Sequence, residues 1–244
     1  MVHTLFVAAH PDDETLSMGV AIAEHVAAGQ DVHVLWLTSG TASGVINQLN
    51  GTSVGTWWGL PHDPTAEGYQ LLTPTGLGIA RIAEATAAVR CLATGLPGTL
   101  TTHEAGLPDG TVTLSAAAAA ILSVADTIAP GAAVRIKTHS HVVDNHPDHL
   151  AAGAAARQLA ADDPGRFGDL RHYVLPPYWT DSRLSQVSEA WDHPTDAGIT
   201  RRVRNAIRAY GAWQPEAGAF AVGWHSVPTY FTQLGDAPKC MFHP

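Results

Sequence analysis

The sequence predicts an α/β fold: a mostly parallel sheet flanked by helices on both faces, with its active site at the C-terminal ends of the strands. Three observations carry this. Short apolar runs recur along the chain, segments of helical period alternate with them, and Gly or Pro punctuates the joins. Thr4 to Ala9 reads as a buried strand, and Glu14 to Ala28 as a helix stopped by Gly29. Val32 to Leu37 is the second strand. Residues 41–80 are rich in Gly, Pro, Asn and Thr with little periodicity, which marks a long substrate loop. Ile79 to Thr94 returns to helical spacing, with Ile82, Ala85, Val89 and Leu92 on one stripe.

Further along, Gly98 to Thr102 is a short strand and Pro108-Asp109-Gly110 a turn. Leu114 to Ala129 is an Ala-rich helix, Ala133 to Thr138 the fourth strand, and His149 to Ala161 a helix. Leu170 to Leu175 and Thr195 to Tyr210 complete the series as a strand and a helix. In such sheets, ligands bind beyond the carboxyl ends of the strands, where strand order reverses. The ends of the first and fourth strands are therefore the places to search.

Bulk properties narrow the classes. Hydrophobic residues make up 45% of the 244 and charged residues 14%, enough apolar surface for a core in one domain spanning 1–244. The net charge of −9 argues against nucleic acid and anionic membranes as partners. Cys91 and Cys240 make no disulfide or metal spacing, and read as a buried and a free thiol. No basic leader precedes the first apolar run, and no stretch is long enough to span a bilayer, so a cytoplasmic protein is expected.

Directly after the first strand stands His10-Pro11-Asp12-Asp13-Glu14. A nucleotide fold would put glycines at this turn to admit phosphate. Here three carboxylates would repel phosphate, whereas three acids and an imidazole suit a cation. After the fourth strand stands His139-Ser140-His141-Val142-Val143-Asp144-Asn145-His146-Pro147-Asp148-His149. Pro147 suits a first helical position, and the three-residue spacing of His146 and His149 puts both rings on one face. Alone, the first stretch would be a turn with a capping Asp and the second a solvated helix start. Together, at the two strand ends where a ligand belongs, they point to a metal ion, and zinc accepts such N and O ligands.

Ala9-His10-Pro11-Asp12-Asp13-Glu14 and His146-Pro147-Asp148-His149 resemble the paired signature motifs of the PIG-L/LmbE-like zinc-dependent N-acetylglucosaminyl deacetylase family. Arg81-Ile82-Ala83-Glu84 and Gly106-Leu107-Pro108-Asp109-Gly110 are similar to two further family stretches, and Tyr210 to Gln214 is weakly similar to a third. The resemblance spans about residues 3–160. It implies a Rossmann-like fold and hydrolysis of N-acetyl groups, with one zinc per chain held by His10, Asp13 and His149. Fe2+ suits the same donors. It further implies Asp12 as general base, His146 as oxyanion stabiliser or proton donor with Asp148 orienting its ring, and Arg81 positioning substrate.

Those roles agree with elementary chemistry. A divalent cation polarises an amide and acidifies water, a carboxylate accepts the water's proton, and a donor opposite stabilises the oxyanion. Other polar residues carry blander readings. Asp109 is either a turn former or a substrate contact, Glu14 a favourable charge at a helix start, and Glu84 a helix anchor. His139 and His141 read as packed or solvated.

Residues 41–80 and the part after Arg171 follow no family pattern. Trp57, Trp58 and Tyr69 offer an aromatic face to a substrate, or else simply pack on the body. The favoured expectation is an N-deacetylase acting on an amino sugar or sugar-containing metabolite of a natural-product pathway. The alternatives are a zinc amidase for a larger or non-sugar acyl group, and a metal-binding module without turnover. The substrate is then a small N-acyl molecule, and the oligomeric state stays open.

Overall fold

Along β1 (His3–Ala8) the side chains alternate between two cores. Phe6 and Ala8 join one apolar cluster with Val32, Val34 and Trp36, while Leu5 and Val7 join another with Leu35, Val134 and Ile136. Strands buried on both faces read as continuous apolar runs, and this is why the sequence shows runs rather than alternation. The computed structural model describes residues 3–244; Met1 and Val2, which open the stretch read for a leader, lie outside the described residues.

The first half continues with α1 (Asp13–Ala27), β2 (Asp31–Trp36), α2 (Val45–Leu49), α3 (Pro74–Ala93), β3 (Thr99–Glu104) and α4 (Leu114–Ile128). Then come β4 (Val134–His139), α5 (Pro147–Asp162), α6 (Pro164–Phe167), β5 (Leu170–Val174), β6 (Ala190–Asp192) and α7 (Ala197–Ala209). The chain closes with β7 (Trp213–Gln214), β8 (Ala219–Phe220), α8 (Val222–Ser226), α9 (Pro228–Asp236) and β9 (Cys240–His243).

Seven strands form one sheet in the order β3-β2-β1-β4-β5-β9-β6. The first five are parallel, as expected, while β9 runs antiparallel to both β5 and β6. Helices α1, α3 and α7 pack together on one face, and α4 and α5 on the other. Strand order reverses at β1, whose neighbours are β2 and β4, so a crevice opens above the carboxyl ends of β1 and β4.

Three local expectations shift. Helix α3 starts at Pro74 rather than near Ile79, because Thr73 caps it by accepting from the Gly76 N–H and Pro74 supplies a preset first turn. The C-terminal part holds β6 to β9 and two short helices where only α7 was expected; strands of two to four residues are too short to show a period. The thiols exchange places: Cys240 is fully buried on the β9 edge of the core and Cys91 only partly. Among the described residues no helix is long and apolar enough to cross a membrane.

Candidate active site

The turn after β1 has an unusual backbone. Asp12 takes φ 129°, a conformation that costs a non-glycine residue roughly 1–3 kcal/mol. Two neighbours hold it there. Its own N–H donates to Glu14 Oε2 at 3.1 Å, and Arg81 Nη2 donates to Pro11 O at 2.9 Å and to Asp12 Oδ2 at 3.1 Å. Glu14 is more than a favourable charge at a helix start: fully buried, it also accepts from Trp36 Nε1 and Tyr210 Oη. Burial chiefly raises the Asp12 carboxyl to about 7, with the Asp13 and Glu14 charges adding and Arg81 opposing.

The next residue behaves oppositely. Asp13 is equally buried, but the His149 and His139 rings and a hydrogen bond from His10 outweigh that burial and hold its carboxyl well below the usual range. Its Oδ2 lies 3.3 Å from His10 Nδ1 and 3.2 Å from His149 Nε2, and those two nitrogens are 3.0 Å apart. Ligand atoms at about 2.0–2.2 Å from a tetrahedral zinc would be separated by about 3.3–3.5 Å, so this N, N, O set fits a divalent cation after a slight opening.

The far nitrogen of each imidazole is also held. His10 Nε2 faces Asp148 Oδ2 and Asp109 Oδ1, each at 3.2 Å, and His149 Nδ1 donates to Asp144 Oδ2 at 2.9 Å. Carboxylates in these positions fix the tautomer and raise the basicity of a ligating ring. Burial would lower both rings, yet the acids around them win: His10 is raised well above its ordinary value and His149 to about 9.

Asp148 therefore does not orient His146, contrary to expectation. Its buried carboxylate accepts from the Gly110 and Val112 N–H groups at 2.8 and 2.9 Å and turns to His10. His146 is aligned by its own backbone instead. As N-cap of α5, its Nδ1 accepts from the Asp148 N–H at 3.2 Å, leaving Nε2 as the ring's free donor. Arg81, which also lines the cavity, donates through Nη1 to Gly40 O at 3.2 Å, so its two Nη atoms tie Gly40 to the Asp12 turn. At Gly40 (φ 70°) any Cβ would collide with that guanidinium.

His139 is fully buried and accepts from the Ala9 N–H at 3.0 Å, with its ring stacked on His149 at 4.1 Å. It backs the cluster from beneath, which is the packed reading. Glu84 anchors a helix as expected, accepting from the Val222 and Gly223 N–H groups at the start of α8.

A cavity of about 330 Å3 opens over this cluster, lined by His10, Asp12, Asp13, His146, His149 and Asp109 among others. Trp57 and Trp58 do not line it. Trp57 packs on Trp224 and His225, and Trp58 on Trp213 and His62, because the loop turns its indoles onto the C-terminal segment. The sequence offers no role for Asp144, nor for the cavity residues Leu16, Leu175, Val227 and Tyr230. Asp144 stood inside the histidine stretch and could have been weighed as a partner for His149. The others sit in segments that only the fold brings to the crevice.

Such a sheet, with imidazoles and carboxylates converging at the β1 and β4 ends, defines a Rossmann-like α/β protein shaped to hold a divalent cation beside a buried acid. The comparisons make the class particular. The chain belongs to the PIG-L family (GlcNAc-PI de-N-acetylase), whose profile matches residues 5–160. It is 33% identical over 201 residues to a 1D-myo-inositol 2-acetamido-2-deoxy-alpha-D-glucopyranoside deacetylase of Rhodococcus jostii (strain RHA1), covering 74% of this chain. The chain spans 62% of that relative's length.

Solved structures repeat the fold. A deacetylase from the teicoplanin biosynthesis pathway superposes with a TM-score of 0.66 at 17% identity, covering 100% of this chain and 97% of its own. GalB, the 4-carboxy-2-hydroxymuconate hydratase from Pseudomonas putida KT2440, does so with 0.58 at 19% identity, covering 96% and 84%. One fold thus carries both deacetylation and hydration, and the site has to decide the chemistry.

Proposed function

We propose that the protein hydrolyses an N-acetyl amide on an amino sugar or sugar-containing metabolite, releasing acetate and a free amine, with one zinc ion per chain. The observation that carries this is the meeting of two things in one crevice. His10, Asp13 and His149 put three donor atoms 3.0–3.3 Å apart, and Asp12 stands beside them with a proton affinity near neutral.

Within that reading, His10, Asp13 and His149 hold the metal, which when bound supplies Lewis acidity to the amide oxygen and the attacking water. Asp12 takes a proton from that water as it attacks the amide carbon, and a carboxyl poised near 7 is matched to that task. His146 Nε2 faces the reaction as a donor, to the oxygen as charge develops or to the departing nitrogen. Asp148 and Asp144 fix the His10 and His149 rings, and Arg81 fixes Asp12. Asp109 reaches both His10 and, at 2.6 Å, the Ala42 N–H, so it ties the start of the substrate loop to the centre.

The test is release of acetate from a panel of N-acetylglucosaminides and N-acyl amino acids by the zinc-loaded protein. Acetate from the sugars is expected. Acetate from the amino acids alone would overturn the sugar reading, and none from either panel would overturn hydrolysis.

A further inference from the structure

The cavity has two unlike walls. On one side stand Ala42, Ser43, Asp109 and Gly110, polar or backbone-rich. On the other stand Leu16, Leu175, Val227, Tyr178 and Tyr230, and all five belong to or pack on the same hydrophobic cluster. Leu16 lies one turn along α1 from Asp12, its N–H bonded to Asp12 O at 3.0 Å, so this wall begins at the reacting centre.

A substrate of the proposed class is equally two-sided, with an apolar acyl tail on one side of the scissile carbon and a hydroxylated ring on the other. A ring against leucines would forfeit hydrogen bonds, while an acyl tail there gives up only water. We infer that the wall formed by Leu16, Leu175 and Val227 is the acyl subsite, and that it selects a short acyl group. This rests on the hydrolase reading above.

The selection follows from packing. Leu16 is 1% and Leu175 5% exposed, both locked into the core, and close-packed side chains cannot recede for extra methylenes. A volume of about 330 Å3 lies at the small end for ligand pockets, roughly 300–1,000 Å3. The acceptor then faces Ser43 and Asp109.

The experiment compares kcat/KM for acetyl, butyryl and hexanoyl amides of one glucosaminide, in wild type, Leu175→Ala, Val227→Ala and, on the facing wall, Ser43→Ala. Wild type should favour acetyl. Leu175→Ala or Val227→Ala should move the hexanoyl-to-acetyl ratio upward by about tenfold or more, since one methylene in an apolar pocket is worth roughly 10–200-fold. Ser43→Ala should leave the ratio unchanged.

Binding of acetate, butyrate and hexanoate, followed by calorimetry, reads the same wall without turnover, and the longer acids should gain on acetate in the two enlarged variants. Val227 is only partly buried, so its variant keeps the test alive if Leu175→Ala does not fold. Unchanged acyl ratios and acid preferences in the folded variants, or an equal shift in Ser43→Ala, would overturn the inference. Absence of turnover in wild type would instead strike the hydrolase reading, and the acid series would still decide the wall.

Discussion

The carboxylate of Asp148 rests 3.2 Å from Nε2 of His10, held there by two backbone N–H groups. Those donors and His10 overcome burial and keep its carboxyl at about 2, so it remains a charged partner for the ring. Removing such a partner from a ligating histidine typically costs 10–100-fold in metal affinity or activity. Asp148→Asn should weaken zinc binding by about that factor, measured by competition with a chelator, while His149→Ala should lose the metal altogether. Unaltered affinity in Asp148→Asn would mean that the carboxylate serves something other than His10.

Asp12→Ala should retain zinc, because none of the three converging donor atoms is lost, yet turnover should fall by roughly 10²- to 10⁴-fold, the span of a general base. Elemental analysis and initial rates on one sample separate the two. Full activity would remove Asp12 from the reaction.

Arg81 donates through its two Nη atoms to Gly40, Pro11 and Asp12, the contacts of a positioning residue. Arg81→Ala should therefore lower kcat by at least about tenfold with little change in KM, since a misaligned catalytic group costs rate rather than ground-state binding. Arg81→Lys should recover part of the loss. A rise in KM at constant kcat would show that the guanidinium binds substrate after all.

Acid should destabilise the fold through His172. Burial first, then the neighbouring His141, His243 and Arg157, press this ring down to about 3, and its Nδ1 donates to His139 O at 2.9 Å. An unfolded histidine protonates near 6.5, so the native state gains nothing from protons that the unfolded state binds. This stability is complete above about 6.5 and is lost as pH falls toward 3; at pH 5 the loss is about 2 kcal/mol. For a chain of this size that is roughly 4–8 °C in Tm. Measured between pH 7 and pH 5 with chelator present, His172→Asn should show a drop smaller by that amount. An equal drop in both proteins would locate the acid sensitivity elsewhere.

Much of this was legible in one dimension. Strands β1, β2 and β4 announced themselves as runs because they are largely buried on both faces, whereas the edge strand β3 is exposed or half-buried along its length. His10, Asp13, His146 and His149 announced themselves because chemistry-bearing residues crowded the ends of two of those runs. The short antiparallel strands did not, for two to four residues carry no period, and β9 is placed by its pairing with β5 and β6.

What the sequence by itself determined is which residues could gather a cation and where a parallel sheet would bring them together, since both follow from local composition and strand connectivity. Only the tertiary structure decided which side chain serves which. Asp148 turns to His10 rather than to its near neighbour His146, Arg81 at the cavity wall binds Asp12, and Trp57 and Trp58 turn to the C-terminal segment. Each of those choices is settled by residues 69 to 167 positions away in the chain, competing for hydrogen bonds and buried area that no local pattern records.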